Sequence, residues 1–307
     1  MRASWATSVS HVAISVISAS MWSSAALAAN SPRDTAAAIP DFSGIWAHFT
    51  FPDVEPPETG PGPIRNLSQR DGASDPYEFV GDYRSPILKP QAAEIVKQHG
   101  EVSRTGRTYP APSNQCWPGG VPYVFTVNIG MQMFQEKDKI TIIYTNDHEV
   151  RHVRLNAQHP AHVAPSWYGD SIGHYEGQTL VIDTVGIKIG PFAMVDLYGT
   201  PHTPSLHVVE RYRLLDYEAA KEAQERGQRG LSRLGRDPGL AANPDYRGKG
   251  LQLEFTVEDE NVFSTPWSAA ISYRRPLGEW PEMACADGTR DYEGRGIDLP
   301  HTDKPDF

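Results

Sequence analysis

The stretch LHVVERYRLL, residues 206–215, shows most directly which fold this chain adopts. It is rich in β-branched and aromatic residues, and its side chains alternate between two faces, as in a β-strand. One face carries Leu206, Val208, Glu210, Tyr212 and Leu214, and the other carries His207, Arg211 and Arg213. Glu210 therefore stands in an apolar row, where a carboxylate is costly unless it is paired or its pKa rises.

Similar runs bounded by turn residues predict further strands on both sides of this stretch. They are DFSGIWAHFTF (41–51), PYVFTVNI (122–129), KITIIYTN (139–146), EVRHVRL (149–155), TLVIDTV (179–185), LQLEFTVE (251–258) and SAAISYRR (268–275). Helices are few. One is expected in KPQAAEIVKQHGE (89–101), ending at Gly100, and one over 217–227, inside an insertion at about 217–250.

A row of seven or eight antiparallel strands with few short helices predicts an all-β fold. We expect a lipocalin-like β-barrel, because closure removes the sheet edges that such strands otherwise expose. A β-sandwich is the alternative. The domain would span residues 42–307, after a linker over 29–41.

The first 28 residues have the pattern of a secretory signal peptide. Arg2 precedes an apolar, small-residue run that ends in Ala26-Leu27-Ala28, a small-x-small cleavage pattern. A membrane anchor is the alternative, but polar residues interrupt the run and it is short for a membrane span. We therefore expect a periplasmic or secreted protein, cleaved near Ala28 and without membrane insertion.

Charge and cysteine content narrow the functional classes. The net charge is −10 at pH 7, and loss of Arg2 makes it −10 − 1 = −11. Nucleic-acid binding is not expected, because it needs clustered Lys and Arg. The two cysteines, Cys116 and Cys285, favour a disulfide in an exported protein. A nucleophile or a metal ligand is the competing interpretation.

Seven of the eleven histidines lie between His148 and His207. This density raises the question of a metal site. No pair has the HxH spacing, and HPAH (159–162) falls in a predicted loop. HEVRH (148–152) matches the letters of HExxH, but it runs into a predicted strand and not into the helix on which that motif binds zinc. We expect no metal. P-loop and GxGxxG motifs are absent, so the sequence predicts no cofactor. GDSIG (169–173) matches the letters of GxSxG, but it precedes a predicted hairpin and not the helix that a nucleophile elbow requires.

Two interpretations of Glu210 remain open. EVRHVRL places Arg151 on the same face as Val153 and Leu155, a second charge on an apolar side. Glu210 and Arg151 either form a buried structural ion pair inside the barrel, or Glu210 is a general acid or base that faces a cavity. In the second case Arg151 or His148 would lie beside it.

The segment PSWYGDSIGHYEGQTLVIDT, residues 165–184, suggests a second site. Gly177 and the strand after it predict a hairpin. The polar residues Asp170, Ser171 and His174 precede it in what is predicted to be a loop, framed by aromatic side chains. Sites often lie on loops at a barrel mouth. Asp170 with His148 or His174 would form an acid/base pair.

Two resemblances accompany these patterns. The Gly44-Ile45-Trp46 start is similar to that of lipocalin-like barrels, in which an Arg from a late strand, here Arg274 or Arg275, packs over the Trp. The chain also resembles an uncharacterised family of secreted bacterial proteins. The matching pieces are QCWPGGVP (115–122), HEVRHVRL (148–155), PSWYGDSIGHYEGQTLVIDTVG (165–186), LHVVERY (206–212), FTVEDENVFSTPW (255–267) and EMACADG (282–288).

The resemblance to the bacterial family supplies no activity, and the chain departs from that family's pattern at one place. The family usually has His-Glu after the last cysteine, whereas this chain has Ala286 and Asp287. If that His belongs to a site, this chain lacks it. Function must therefore be argued from the residues themselves.

The first hypothesis is an exported, cofactor-independent lyase, isomerase/cyclase or hydratase that holds a small apolar or aromatic molecule in the barrel. Its predicted catalytic residues are Glu210, His148, Arg151 and Asp170, with Arg151 stabilising negative charge. The predicted substrate-binding residues are Trp167, Tyr168, His174, Tyr212 and His207. The alternative is a non-catalytic, lipocalin-like ligand-binding protein. A metal-dependent hydrolase is a weaker third hypothesis.

Overall fold

A sheet of nine strands, nearly closed on itself, forms the body of the protein. The computed structural model describes residues 39–48, 54–127, 130–145, 150–233 and 243–278, all within one compact unit over Ala37–Phe307. The strands of the large sheet are β1 (Gly44–Ala47), β4 (Gly130–Gln135), β5 (Lys139–Tyr144), β6 (Val150–Leu155), β7 (Asp170–Glu176), β8 (Thr179–Val185), β9 (His207–Leu215), β10 (Gly250–Glu258) and β11 (Trp267–Tyr273). The predicted all-β barrel is confirmed.

The strands follow one another around the sheet in the order β1, then β4 through β11. Every neighbouring pair is antiparallel except β6 and β7, which are parallel. A parallel pair needs a connection that returns to the starting end. Residues 156–169 make that crossover without a helix.

A seam between the first and last strands closes the barrel. Ala47 and Arg274 exchange two backbone hydrogen bonds of 2.8 Å. Further along β11, Glu55 pairs with Ala270 in the same way, and the Ser268 N–H donates to the carbonyl of Pro61. The segment from Val54 to Pro61 therefore covers the free edge of β11, which removes an exposed sheet edge.

The remaining regular elements are short. They are a two-stranded ribbon of β2 (Gln69–Arg70) and β3 (Ala73–Ser74) and the helices α1 (Pro90–Arg104), α2 (Tyr123–Val127) and α3 (Tyr217–Arg229). α3 packs on β10 and β11 through the buried Ala220 and Ala223. Its Gln224 side chain donates to the backbone carbonyls of Ala47 and Ser272, so this helix lies against the seam.

Three predictions about local structure are wrong. PYVFTVNI contains the helix α2 instead of a strand. All five of its helical residues are buried, and periodicity does not separate a short buried helix from a strand. The expected loop with Asp170, Ser171 and His174 is strand β7. α1 continues through Gly100 to Arg104, and Gly100 lies inside the helix where a Cβ would press against Val80.

The contact between Trp46 and Arg275 holds strand β1 against the segment that follows β11. The Arg275 guanidinium carbon lies 3.6 Å from the Trp46 ring centroid, and its two terminal nitrogens donate to the carbonyls of Ile45 and Ser43 at 2.9 and 2.8 Å. The expected Trp–Arg packing is present, and Arg275 provides it. Arg274 lies over the Tyr217 ring instead.

Several predictions fall outside the described residues. They include the signal peptide over residues 1–28, His148 and Cys285, so the Cys116–Cys285 disulfide and the cleavage near Ala28 stay predictions. Within the described ranges, none of the helices has the length and apolar character that crossing a membrane requires.

Candidate functional site

Five consecutive strands contribute polar side chains to one buried network inside the barrel. Strand alternation turns Arg151 of β6 and Glu210 of β9 inward, where their side chains are 1% and 0% exposed. The other members are Tyr144 of β5, Ser171 of β7, Thr184 of β8 and Tyr212 of β9. The network therefore spans the inner wall from β5 to β9.

All five N–H groups of Arg151 donate hydrogen bonds. Nη1 and Nη2 each bond one oxygen of Glu210, at 2.9 and 2.5 Å. The other three go to Tyr144, Thr184 and Ser171 at 3.1, 2.8 and 3.1 Å. A buried ion pair needs such complete hydrogen bonding to offset the desolvation of its charges.

The electrostatics of the network favour the ion pair and the neutral phenols around it. Burial opposes the charge of Arg151, but the Glu210 carboxylate outweighs it and raises the pKa of Arg151. Burial, together with the charge of Glu210, also raises the pKa of Tyr212 well above its ordinary value. Tyr212 therefore donates its O–H to Glu210, at 2.8 Å.

These contacts place two predicted catalytic residues in a sealed ion pair. Tyr168 also belongs to this end of the barrel, because its ring stacks on Tyr144 with an angle of 6° and 5.4 Å between centroids. This arrangement corresponds to the first of the two interpretations of Glu210, a buried structural ion pair with Arg151. Their predicted catalytic roles, and the predicted binding role of Tyr212, remain predictions.

A row of alternating basic and acidic side chains crosses the outer wall, opposite the buried network. Arg154 contacts both oxygens of Asp170 at 2.8 Å. His159, from the crossover 156–169, approaches Asp170 through Nδ1 at 2.6 Å and Asp183 through Nε2 at 2.9 Å. His207 continues the row, with Nε2 3.1 Å from Asp183.

Among the described residues, the histidine that contacts Asp170 is His159 and not the predicted His174. His174 lies on the outer face and contacts Glu176 at 3.2 Å, and His148 lies outside the described residues. Sequence reasoning missed His159. The HPAH motif was the only signal for His159. Its contacts with β7 and β8 depend on the course of the crossover 156–169, which no local sequence pattern predicts.

The contact between Asp183 and His207 on the outer wall shifts the pKa values of the two residues in opposite directions. The hydrogen bond from His207, opposed in part by burial, lowers the pKa of Asp183. The hydrogen bond to Asp183 raises the pKa of His207 in turn. The pair is thus favoured in its ionised form, although both side chains are about one third exposed.

Trp167 lies apart from both polar groups. Its ring makes an edge contact with Trp117, at 5.1 Å between centroids, and the Lys188 ammonium lies 4.8 Å from its centroid. Trp167 belongs to this aromatic patch, whereas its neighbour Tyr168 stacks on Tyr144 of the buried network. The two predicted binding aromatics therefore have different surroundings.

A cavity of about 320 Å³ lies where the seam segment meets the barrel, and we name it the seam cavity. Its walls include the segments around Val54 and Ile64, the loop with Asp196 and Tyr198, and Phe255 and Trp267 of the barrel. Its lining is mainly apolar and aromatic. None of the predicted site residues belongs to it.

Two buried polar groups stand in the wall of the seam cavity. Trp267 is 4% exposed, and its Nε1–H has no hydrogen-bond acceptor among the described residues. Asp196 is 9% exposed, and its Oδ1 accepts from the N–H groups of Tyr198 and Thr200 at 2.8 and 3.1 Å. Burial raises the pKa of Asp196.

Comparison with known proteins does not assign this arrangement. No protein-family model, curated protein sequence or solved structure matches the chain. Among the described residues, no group of three or more His, Cys, Asp or Glu side chains is placed to hold a metal ion. The function is therefore argued from the cavity and the polar groups alone.

Proposed function

We propose that the protein binds a small, largely apolar molecule in the seam cavity. The observation that carries this proposal is the cavity itself, about 320 Å³ and lined mainly by apolar and aromatic side chains. Ligand pockets in proteins have volumes of about 300–1,000 Å³, apolar walls and a few placed polar groups. The proposal follows the ligand-binding alternative of the sequence analysis.

The barrel interior supports binding at the seam rather than chemistry at Glu210. The carboxylate of Glu210 is fully buried and accepts bonds from Arg151 and Tyr212. A substrate would have to break this ion pair before it reached the carboxylate. The seam cavity, in contrast, has Tyr198 and Val54 as partly exposed wall residues.

The test compares two substitutions that introduce the same bulky ring. Val54→Trp places an indole in the cavity wall, and Val150→Trp places one on the exposed outer face of β6. Native mass spectrometry of each protein, purified from the cells that make it, would record any co-purifying molecule. We expect a bound molecule in the wild type and in V150W, and its loss in V54W.

Other results would overturn the proposal. Retention of the molecule by V54W would place the site elsewhere. A wild-type protein that carries no molecule, and binds none of a panel of apolar probes at millimolar concentration, would remove the binding function itself.

A second candidate is acid/base catalysis on the outer wall, whereas the enzyme hypothesis of the sequence analysis places the chemistry in a barrel cavity. It is favoured by His207, which lies with Glu258 in the wall of a second cavity of about 380 Å³ and is hydrogen-bonded to Asp183. Fresh wild-type protein would then convert the co-purified molecule, and Asp183→Asn would slow this. Recovery of the molecule unchanged after incubation would exclude the activity for that compound.

A further inference from the structure

We propose that the seam cavity selects an uncharged apolar molecule that carries a hydrogen-bond donor and an acceptor, as a hydroxyl or an amide group provides. This inference rests on the proposed binding function and names the class of ligand. It follows from two buried polar groups in the wall, the N–H of Trp267 and the carboxyl of Asp196.

Trp267 requires an acceptor. Its ring packs at an angle against Phe255 and Phe263, with centroids 6.0 and 5.9 Å apart, so the aromatic surface is well covered. The Nε1–H of this ring, in contrast, has no hydrogen-bond partner among the described residues. Buried donors in proteins are nearly always hydrogen-bonded, and an exception in a cavity wall points to a missing partner such as a ligand oxygen.

Asp196 requires a donor or a cation. It forms no ion pair within the described part of the chain, and its hydrogen bonds come from the backbone of its own loop through Oδ1. A buried carboxyl without a cation is costly when ionised. A ligand hydroxyl or amide N–H would donate to it without bringing a second charge into the cavity.

Ligands of other classes satisfy these groups less well. A pure hydrocarbon would leave the Trp267 N–H without an acceptor and would donate nothing to the carboxyl of Asp196. A carboxylate ligand would meet the buried carboxyl of Asp196. Arg65 also lines the cavity, but its side chain is exposed, where an ion pair contributes little. One group that both donates and accepts is therefore the best match to the wall.

The test uses three probes with one frame: 2-naphthol, 2-methoxynaphthalene and 2-naphthoate. The first donates and accepts, the second only accepts, and the third carries a negative charge. Calorimetry at pH 7 would measure their binding to the wild type, Trp267→Phe, Asp196→Asn and the control Trp117→Phe. W267F removes the N–H together with one ring of the indole, and W117F makes the same truncation at a residue outside the seam cavity.

We expect 2-naphthol to bind the wild type about tenfold more tightly than its methyl ether, because the ether has no hydrogen to donate to the carboxyl of Asp196. D196N should bring this ratio close to one. W267F should weaken both neutral probes by a similar factor, and W117F should change neither.

Two contrary results have different meanings. Equal binding of the alcohol and the ether by the wild type, or tightest binding of the naphthoate, would overturn this inference and leave the binding function intact. Failure of all three probes to bind the wild type would overturn the binding function together with this inference.

Discussion

Arg151 and Glu210 face each other across the barrel interior from strands that are not neighbours. Two strands, β7 and β8, separate β6 from β9 in the sheet, yet the two side chains form a fork of hydrogen bonds at 2.9 and 2.5 Å. The inner wall between them supplies Ser171 and Thr184, which complete the bonding of the guanidinium. The pair thus links the β5–β9 wall through side chains as well as through the sheet.

Removal of one partner of this pair should be severely destabilising. Arg151→Met or Glu210→Leu leaves an uncompensated buried charge, and we expect each to lower the free energy of unfolding by about 3–5 kcal/mol. The double variant R151M/E210L should lose less than either single one, because neither charge is left. Denaturant unfolding followed by circular dichroism measures all three.

An exposed Arg–Glu pair provides the matched control. Arg213 and Glu254 also form an ion pair between neighbouring strands, but their side chains are 50% and 42% exposed. Arg213→Met should cost less than about 1 kcal/mol. A cost for the R151M protein no larger than that of R213M would show that the buried pair contributes little to stability.

The pair of Asp183 and His207 should give a pH-dependent contribution to stability. The pKa of His207 is raised, so its contribution is present below the ordinary value of about 6.5 and is lost as the pH rises through the folded pKa. The pKa of Asp183 is lowered, so its contribution is present above about 3.9 and is lost at lower pH. The pair is therefore most stabilising between these two values.

Unfolding of wild type and His207→Gln from pH 4 to 9 tests this sign. The difference between them should be largest near the middle of that window and should shrink above it. His152→Gln is the control, since His152 lies exposed on β6 and its ring contacts Thr141 instead of a carboxylate. A difference that grows with rising pH would contradict the assignment.

Strand alternation made the buried pair predictable, whereas the outer row and the cavity needed the tertiary structure. Arg151 and Glu210 each share a face with apolar residues two positions away, and this local pattern survives folding. His159 meets Asp170 only because β6 and β7 are parallel and the crossover lies over the wall. No periodicity in either segment encodes that path.

The seam cavity illustrates the same limit. Ile64 belongs to a Pro/Gly-rich segment without regular structure, Asp196 to a loop after β8, and Trp267 to the last strand. Each segment is ordinary by itself. Their meeting depends on how the seam closes, which the strand count predicts in outline but does not place in space.

The buried His99 should titrate far below an ordinary histidine. It is 2% exposed on α1, its ring packs 4.4 Å from that of Tyr109, and burial lowers its pKa to about 4. Its Nδ1–H donates to the carbonyl of Phe79 at 3.3 Å, which raises the pKa, but the effect of burial is larger and favours the neutral ring.

Histidine NMR measures this titration directly. The unfolded chain takes up a proton near pH 6.5 that the folded chain refuses, so stability should fall between that pH and about pH 4, by about 3 kcal/mol in total. A His99 signal that titrates near pH 6.5, the ordinary value for histidine, would mean that water reaches the ring.

The seam should depend on Arg275 more than on its neighbour Arg274. Arg275→Ala removes two hydrogen bonds to carbonyls of the first strand and the contact with Trp46. We expect it to cost about 2–4 kcal/mol. Arg275→Lys should recover little, because an ammonium lacks the planar fork that reaches both carbonyls.

Gly44 gives an independent approach to the same contact. Its φ is +102°, and a Cβ there would lie 2.4 Å from Nη1 of Arg275, so Gly44→Ala should destabilise the seam in the same direction. Arg274→Ala is the control, since the backbone of Arg274 pairs with Ala47 and its side chain lies over Tyr217. Hydrogen exchange at the Ala47 amide, which donates to the Arg274 carbonyl, locates the effect. Exchange there should quicken in R275A and G44A and stay slow in R274A, and the opposite order would show that the Trp46–Arg275 contact does not hold the barrel closed.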